Sequence, residues 1–359
     1  MSYKTKKNQA SQPNIAPHAP SNTAPLFAAL DLGTNNCRLL IASGDQAGVQ
    51  AKQPLHVVDS FSRIVRLGES ITKTGKLSDD AMDRTIAALS ICKKKMAKYR
   101  LEDCRLVATE ACRKASNTLE FIKRVEKEVG LTIEVINNQE EASLAVIGCS
   151  SLLNPTADKA IVFDIGGGST EVIWLDVQRL QQKQAQSLKS FLNLEDVVID
   201  WVSIDSGVMN LADRFGGTGF IDVTYHDMVQ FLRDKLEVFN QKNKISDVVE
   251  QGAVQMLSTS GTLTTLAAIE MGLPKYDRAQ VDGTSMEISR LRQTVKNIRA
   301  MRPSERFHNG CIGPERADFI LSGCAVFDAV SSLWPTQQVT IADRGVREGI
   351  IISQMLHHE

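Results

Sequence analysis

Aromatic residues are scarce in this 359-residue chain: 12 Phe, 4 Tyr and 3 Trp make up 5% of it. The core must therefore be built mainly from aliphatic side chains. An excess of either charge is missing too, since 41 Lys and Arg meet 42 Asp and Glu, a net charge of −1. That argues against a globally basic nucleic-acid binder, and no DNA partner is expected. A local basic groove for a polyanion stays open, with Lys93-Lys94-Lys95 and Arg113-Lys114 as candidates. No apolar run is long enough to span a bilayer, so no membrane partner is expected. The seven cysteines, at 37, 92, 104, 112, 149, 311 and 324, form no C-x-x-C pair and no Cys/His cluster with zinc spacing. They read as buried thiols of a reduced cytoplasmic protein. Residues 1–25 lack an apolar h-region and read as a tail rather than a signal peptide; rich in Pro, Asn, Ala and Ser, that tail is expected to be disordered.

What is present is an ordinary globular composition, 43% hydrophobic and 23% charged, at a length that suits two domains. Apolar runs at 26–32 and 37–42 read as a strand pair, with more strand in 56–67. Ser78 opens a helix whose Met82, Ile86, Leu89 and Met96 recur at helical spacing. Short strands at 106–109 and 131–136 flank a helix that starts near Asn117, and a helix begins at Gln139. The order then repeats: strands at 160–164, 170–175 and 201–204, a helix over 208–214, a strand–turn–helix around 257–269, a helix over 316–333 and a strand at 339–341. Gln178 to Glu195 reads as an inserted loop or helical excursion. Strands alternating with helices predict an α/β fold. The expected division is a first domain over 26–145 and a second over 146–344, with the C-terminal helix at 345–359 available to pack back on the first.

The most informative feature is a phrase written twice. Leu30-Asp31-Leu32-Gly33-Thr34-Asn35-Asn36-Cys37-Arg38 comes early, and Phe163-Asp164-Ile165-Gly166-Gly167-Gly168-Ser169-Thr170-Glu171 comes later. Each is a strand, an Asp, a Gly-containing turn of small polar residues, then a second strand. Such turns expose successive backbone N–H groups and suit phosphate oxygens, and an Asp at the strand end suits a hard cation that bridges those oxygens. Three glycines in a row cost conformational entropy, which implies that something approaches the second turn closely. Asp164 and Glu171 bracket that turn. Arg38, Arg66 and Arg113 are each candidates for bidentate phosphate contact or for a surface ion pair. Glu140 and Glu141, in a helix's first turn, either serve the helix dipole or include a base that activates water against a terminal phosphoryl group.

The ordered set Asp-Leu-Gly-Thr-Asn-Asn, Arg-Leu-Gly, Thr-Glu-Ala-Cys-Arg-Lys-Ala-Ser-Asn, Asn-Gln-Glu-Glu-Ala, Asp-Ile-Gly-Gly-Gly-Ser-Thr-Glu, Ser-Gly-Thr and Asp-Arg-Gly-Val-Arg-Glu-Gly resembles the Ppx/GppA phosphatases over about residues 26–357. The resemblance implies two ribonuclease-H-like domains of the actin, Hsp70 and sugar-kinase superfamily around a cleft. It implies Mg²⁺-dependent (alternatively Mn²⁺-dependent) hydrolysis of the terminal phosphoanhydride of polyphosphate or of guanosine pentaphosphate. Residue by residue it makes Glu141 the catalytic base and Arg113 a phosphate-holding partner. Asp164 and Glu171 become the metal-linked acids. Gly33, Thr34, Asn35, Asn36, Cys37 and Arg38, with Arg66, and Gly166, Gly167, Gly168, Ser169 and Thr170 become the phosphate loops. Asn36, where many members have Ser, and Ser143, where many have Arg, depart from the pattern. The chain resembles the short form without a C-terminal helical domain, and a homodimer is one assembly the resemblance admits. Two other functions fit the turns: an ATP-dependent kinase or ATPase of the same superfamily, for which Ser260-Gly261-Thr262 would meet adenosine, and a non-catalytic polyphosphate or alarmone sensor.

Overall fold

The computed structural model describes residues 24–44, 53–216 and 222–358. Most of the sequence-based tail at 1–25 lies outside these residues. Eleven strands build two mixed sheets among the described residues. The first contains β1 (Leu26–Leu32), β2 (Asn36–Ser43), β3 (His56–Ile64), β4 (Leu101–Ala108) and β5 (Glu134–Val135), in the order β3-β2-β1-β4-β5. The second contains β6 (Lys159–Ile165), β7 (Thr170–Asp176), β8 (Val198–Ile204), β9 (Val254–Ser258), β10 (Thr284–Glu287) and β11 (Gln338–Ile341), in the order β10-β11-β9-β6-β7-β8. Each sheet runs as an antiparallel meander of three strands whose first strand then pairs in parallel with the fourth. This repeated α/β topology is the arrangement that the resemblance implied.

Side chains alternate across a strand, so each sheet serves two cores. In β1, Ala28, Leu30 and Leu32 enter an outer core with the Asp79–Met96 and Thr118–Val129 helices, while Phe27 and Ala29 face a middle layer. In β6, Ile161, Phe163 and Ile165 enter the opposite outer core, while Ala160 and Val162 face the same middle layer. That layer is filled by the Asn138–Cys149 and Val346–His357 helices. The C-terminal helix also packs on β1. The two middle helices touch at backbone distance: a Cβ on Gly148 would overlap the Gly345 carbonyl, and one on Gly349 the Leu144 carbonyl.

Several extents differ from the sequence reading. The strand expected over 131–136 shrinks to Glu134–Val135, which pairs only with Val107 and Ala108 at the end of β4. The helix expected over 316–333 begins at Ile320. Ahead of it, Gly313 takes a positive φ of 72°, and Arg316 lies in a turn with its N–H on the Gly313 carbonyl. The Gln-rich excursion becomes two short helices, Val177–Gln186 and Leu188–Phe191, the first capped by the Asp176 carboxylate accepting from the Arg179 N–H. Among the described residues no helix is long and apolar enough to cross a membrane.

Candidate functional site

The two repeated phrases form equivalent hairpins. Asp31 lies opposite Arg38 in the β1–β2 ladder, and Asp164 lies opposite Glu171 in the β6–β7 ladder. Each turn closes with the same bond, Gly33 N–H to Asn36 O at 2.9 Å and Gly166 N–H to Ser169 O at 2.9 Å. The period of two then decides which side chains can act. Asp31 shares a face with Phe27 and Ala29, Arg38 with Leu40, Asp164 with Val162, and Glu171 with Ile173, and all of these neighbours face the middle layer. All four charged residues therefore turn inward, and all four line one cavity of about 150 Å³. Cys37 and Thr170 fall on the opposite parity and do not line it. Cys37 is buried in the first outer core beside Cys92, and the Thr170 hydroxyl donates to the Ser206 carbonyl.

The turns meet tip to tip. A Cβ on Gly167 would lie 2.9 Å from Asn35 Cβ and 3.2 Å from its backbone nitrogen, and one on Gly168 would lie 2.8 Å from Thr34 Oγ1. Gly167 and Gly168 are thus required first by the opposing turn, whereas a Cβ on Gly166 would meet only the Ser169 carbonyl of its own turn. From behind, the Val208–Arg214 helix anchors the second turn: the Val208 and Met209 N–H groups donate to the Gly166 and Gly167 carbonyls, and Asn210 Nδ2 donates to the Gly168 carbonyl at 2.6 Å.

Of the sequence-based candidates, Gly33, Thr34, Asn35, Asn36, Arg38, Glu141, Asp164, Gly166, Gly167, Gly168, Ser169 and Glu171 line this cavity. Arg113 stands just behind it, in the Glu110–Lys114 helix. Its Nη1 lies 2.7 Å from Glu141 Oε2 and donates to the Ile136 carbonyl at 2.9 Å, while its Nη2 meets Glu110 at 3.1 Å. Arg66 sits at the edge, over the ring of the cavity residue Phe319. The Lys93–Lys95 run is engaged elsewhere, Lys93 on the Val129 carbonyl and Lys95 with Asp59. Lys114 spans the cleft between Glu110 and Asp205.

Glu141 occupies the first turn of its helix, which Asn137 caps by accepting from the Glu140 N–H. Burial raises its pKa well above the ordinary 4.5, the Glu171 charge adds to that, and Arg113 opposes it. Glu171 is raised chiefly by burial, against hydrogen bonds from Ser169 and Ser203. Burial likewise raises Asp31 and Asp164, with Arg38 pulling both back. The cavity therefore gathers more buried acid than its cations neutralise. Among the described residues no three acids, histidines or cysteines form a ready metal cage. Magnesium seldom needs one, because it takes one or two carboxylates together with phosphate oxygens and water. The donor set fits such an ion.

Sequence reasoning passed over Arg316, Phe319 and Glu110 as site members. Arg316 Nη1 donates to Thr265 Oγ1 at 2.6 Å and to the Gly261 carbonyl at 3.3 Å. Its pKa is lowered by burial and then by the charge of Arg38, so two guanidiniums share one wall. Glu110 stands inside the recognisable Thr-Glu-Ala-Cys-Arg string, next to the arginine that is the string's sequence-based candidate. Nothing local marks Arg316, since its partners come from residues about 50 positions away.

Comparison with known proteins identifies the family. The chain is 28% identical over 338 residues to exopolyphosphatase 2 of Mycobacterium tuberculosis, covering 91% of this chain and 97% of that one. It is 26% identical over 348 residues to a bifunctional 3-dehydroquinate synthase/phosphatase of Fusobacterium nucleatum; that match covers 91% of this chain but spans only 46% of the longer protein. The crystal structure of the Aquifex aeolicus member of the Ppx/GppA family superposes with a TM-score of 0.70 at 27% identity, covering 94% of this chain and 99% of that one. The model of the Ppx/GppA phosphatase family matches residues 45–358, and the chain belongs to that family.

Proposed function

We propose that this protein hydrolyses the terminal phosphoanhydride of inorganic polyphosphate, or of guanosine pentaphosphate, with Glu141 accepting the proton of the attacking water. The observation that carries the proposal is the placement of Glu141 in the same cavity as both turns, with Arg113 on its carboxylate. The names of the relatives from Mycobacterium tuberculosis and Fusobacterium nucleatum, an exopolyphosphatase and a phosphatase, support the same reaction class.

The roles follow from the chemistry of the residues. The amides of Thr34–Asn35 and Gly167–Gly168 grip the terminal phosphate oxygens, those of Gly33 and Gly166 being spent on closing their turns. Arg38 and Arg316 neutralise charge along the chain, as guanidiniums do for phosphate. Asp164 and Glu171, with Asp31 beside them, would hold Mg²⁺ or Mn²⁺. When bound, that ion would neutralise phosphate charge in the loose transition state of phosphoryl transfer. Glu141 orients the water in line and takes its proton, while Arg113 fixes the carboxylate and moderates its raised pKa. Both substrate classes present the same terminal group, so this machinery serves either.

Phosphate release from long-chain polyphosphate and from guanosine pentaphosphate, with Mg²⁺ and with chelator, tests the proposal. Mg²⁺-dependent release from at least one is expected. Release from neither, or ATP turnover alone, would overturn it.

A further inference from the structure

Most residues of the cavity wall are polar or glycine, and of the apolar side chains among them (Ile165, Val208, Phe319, Ile320 and Val346) Phe319 alone is aromatic. It lies one short turn beyond Arg316, its N–H donating to the Arg316 carbonyl at 2.9 Å. Across the cleft, the Arg66 guanidinium carbon stands 5.7 Å from the centre of that ring. Arg66 holds a left-handed backbone, φ 50°, which is costly for a residue with a side chain. The strain is held in place by the first turn: the Val65 and Arg66 N–H groups both donate to the Asn35 carbonyl, at 2.8 and 3.0 Å. Arg66 is exposed, and no acid pairs with it among the described residues. The first turn thus aims a guanidinium at an aromatic face on the second half of the molecule, beside the phosphate-gripping Arg316.

An aromatic ring gives nothing to a chain of tetrahedral oxyanions. A ring faced by a planar guanidinium is instead the pair on which nucleobases stack. We infer that Phe319 and Arg66 form a base-stacking platform at the mouth of the cavity, so that the site selects phosphate chains that carry a purine nucleoside over bare ones. The inference rests on reading the cavity as a phosphate-chain site, and it makes Phe319 the residue on which the choice of substrate turns.

The test is calorimetric binding of GTP and of inorganic tripolyphosphate, which share three linked phosphates and differ by the nucleoside. The wild-type protein is expected to bind GTP the more tightly. Phe319→Ala should weaken GTP on the order of ten-fold while leaving tripolyphosphate within about two-fold, the size of one lost stacking contact. Phe319→Trp should keep the preference. Phe319→Leu, which preserves apolar bulk and guards against local collapse, should lose it. Equal weakening of both ligands would overturn the inference and make the pair a simple clasp between the halves. No weakening of either, or no preference for GTP in the wild type, would overturn it as well. Because binding is read without turnover, a preserved GTP preference in a protein that releases no phosphate would refute the hydrolytic reading while sustaining this one.

Discussion

At the scale of the residue, Glu141 and its partner Arg113 come first. Its carboxyl is raised mainly by burial and lowered by Arg113, so kcat/KM should rise with pH along a limb that lies above the ordinary carboxylate range. Arg113→Ala removes the group that pulls the pKa down. It should move that limb to higher pH and reduce kcat, which a pH–rate profile of the two proteins would reveal. A limb that stays in place would mean that Arg113 does not act on Glu141. Part of this was legible beforehand. Asp164, Glu171, Glu141 and the two turns all stand in recognisable strings. Strand parity alone could have set Cys37 and Thr170 aside, because both lie on the face that carries outer-core residues. Arg316 and Phe319 were not legible, since one arginine and one phenylalanine near a helix start look like any others until residues 66 and 261 are brought beside them.

At the scale of the element, glycines set how closely segments approach. Three glycines in a row implied a close approach to the second turn; in the fold the first turn makes that approach at Gly167 and Gly168. Gly167→Ala places a methyl against Asn35 backbone, which cannot swing aside as a side-chain tip can. Turnover should fall on the order of a hundred-fold through misplacement of the turn, with the melting temperature little changed. Gly349→Ala acts elsewhere, in the crossing of the Asn138–Cys149 and Val346–His357 helices. Overpacking there should cost about 1–3 kcal/mol in a denaturant titration. The helices themselves follow from local signals such as the Ser78 and Asn137 caps. The crossing does not, because it depends on segments 197 residues apart meeting at Gly148 and Gly345.

At the scale of the whole molecule, two similar sheets bring four inward-facing charged residues, three of them acids, to one cavity, and Glu141 adds a fourth acid. Asp31, Glu141, Asp164 and Glu171 all have raised pKa values, so the folded state binds their protons more tightly than the unfolded chain does. Stability contributed by these groups is therefore present at low pH and is lost as pH rises past the ordinary carboxylate range. A divalent cation held only by the folded cavity should reverse that loss. Melting temperatures between about pH 5 and 8 should fall without divalent ions and recover with Mg²⁺, the recovery growing with pH. The duplicated fold could be anticipated from the repeated phrase and the α/β alternation. The tip-to-tip contact of the turns could not, because it is made by residues 132 and 134 positions apart that local pattern does not connect. The most direct test of the central claim is the turnover of Glu141→Gln, which keeps the size and polarity of the side chain but cannot take a proton. With polyphosphate or guanosine pentaphosphate as substrate, kcat should fall about 10²- to 10⁴-fold while substrate binding by calorimetry is retained; a variant that hydrolyses at the wild-type rate would contradict the role of Glu141 as base.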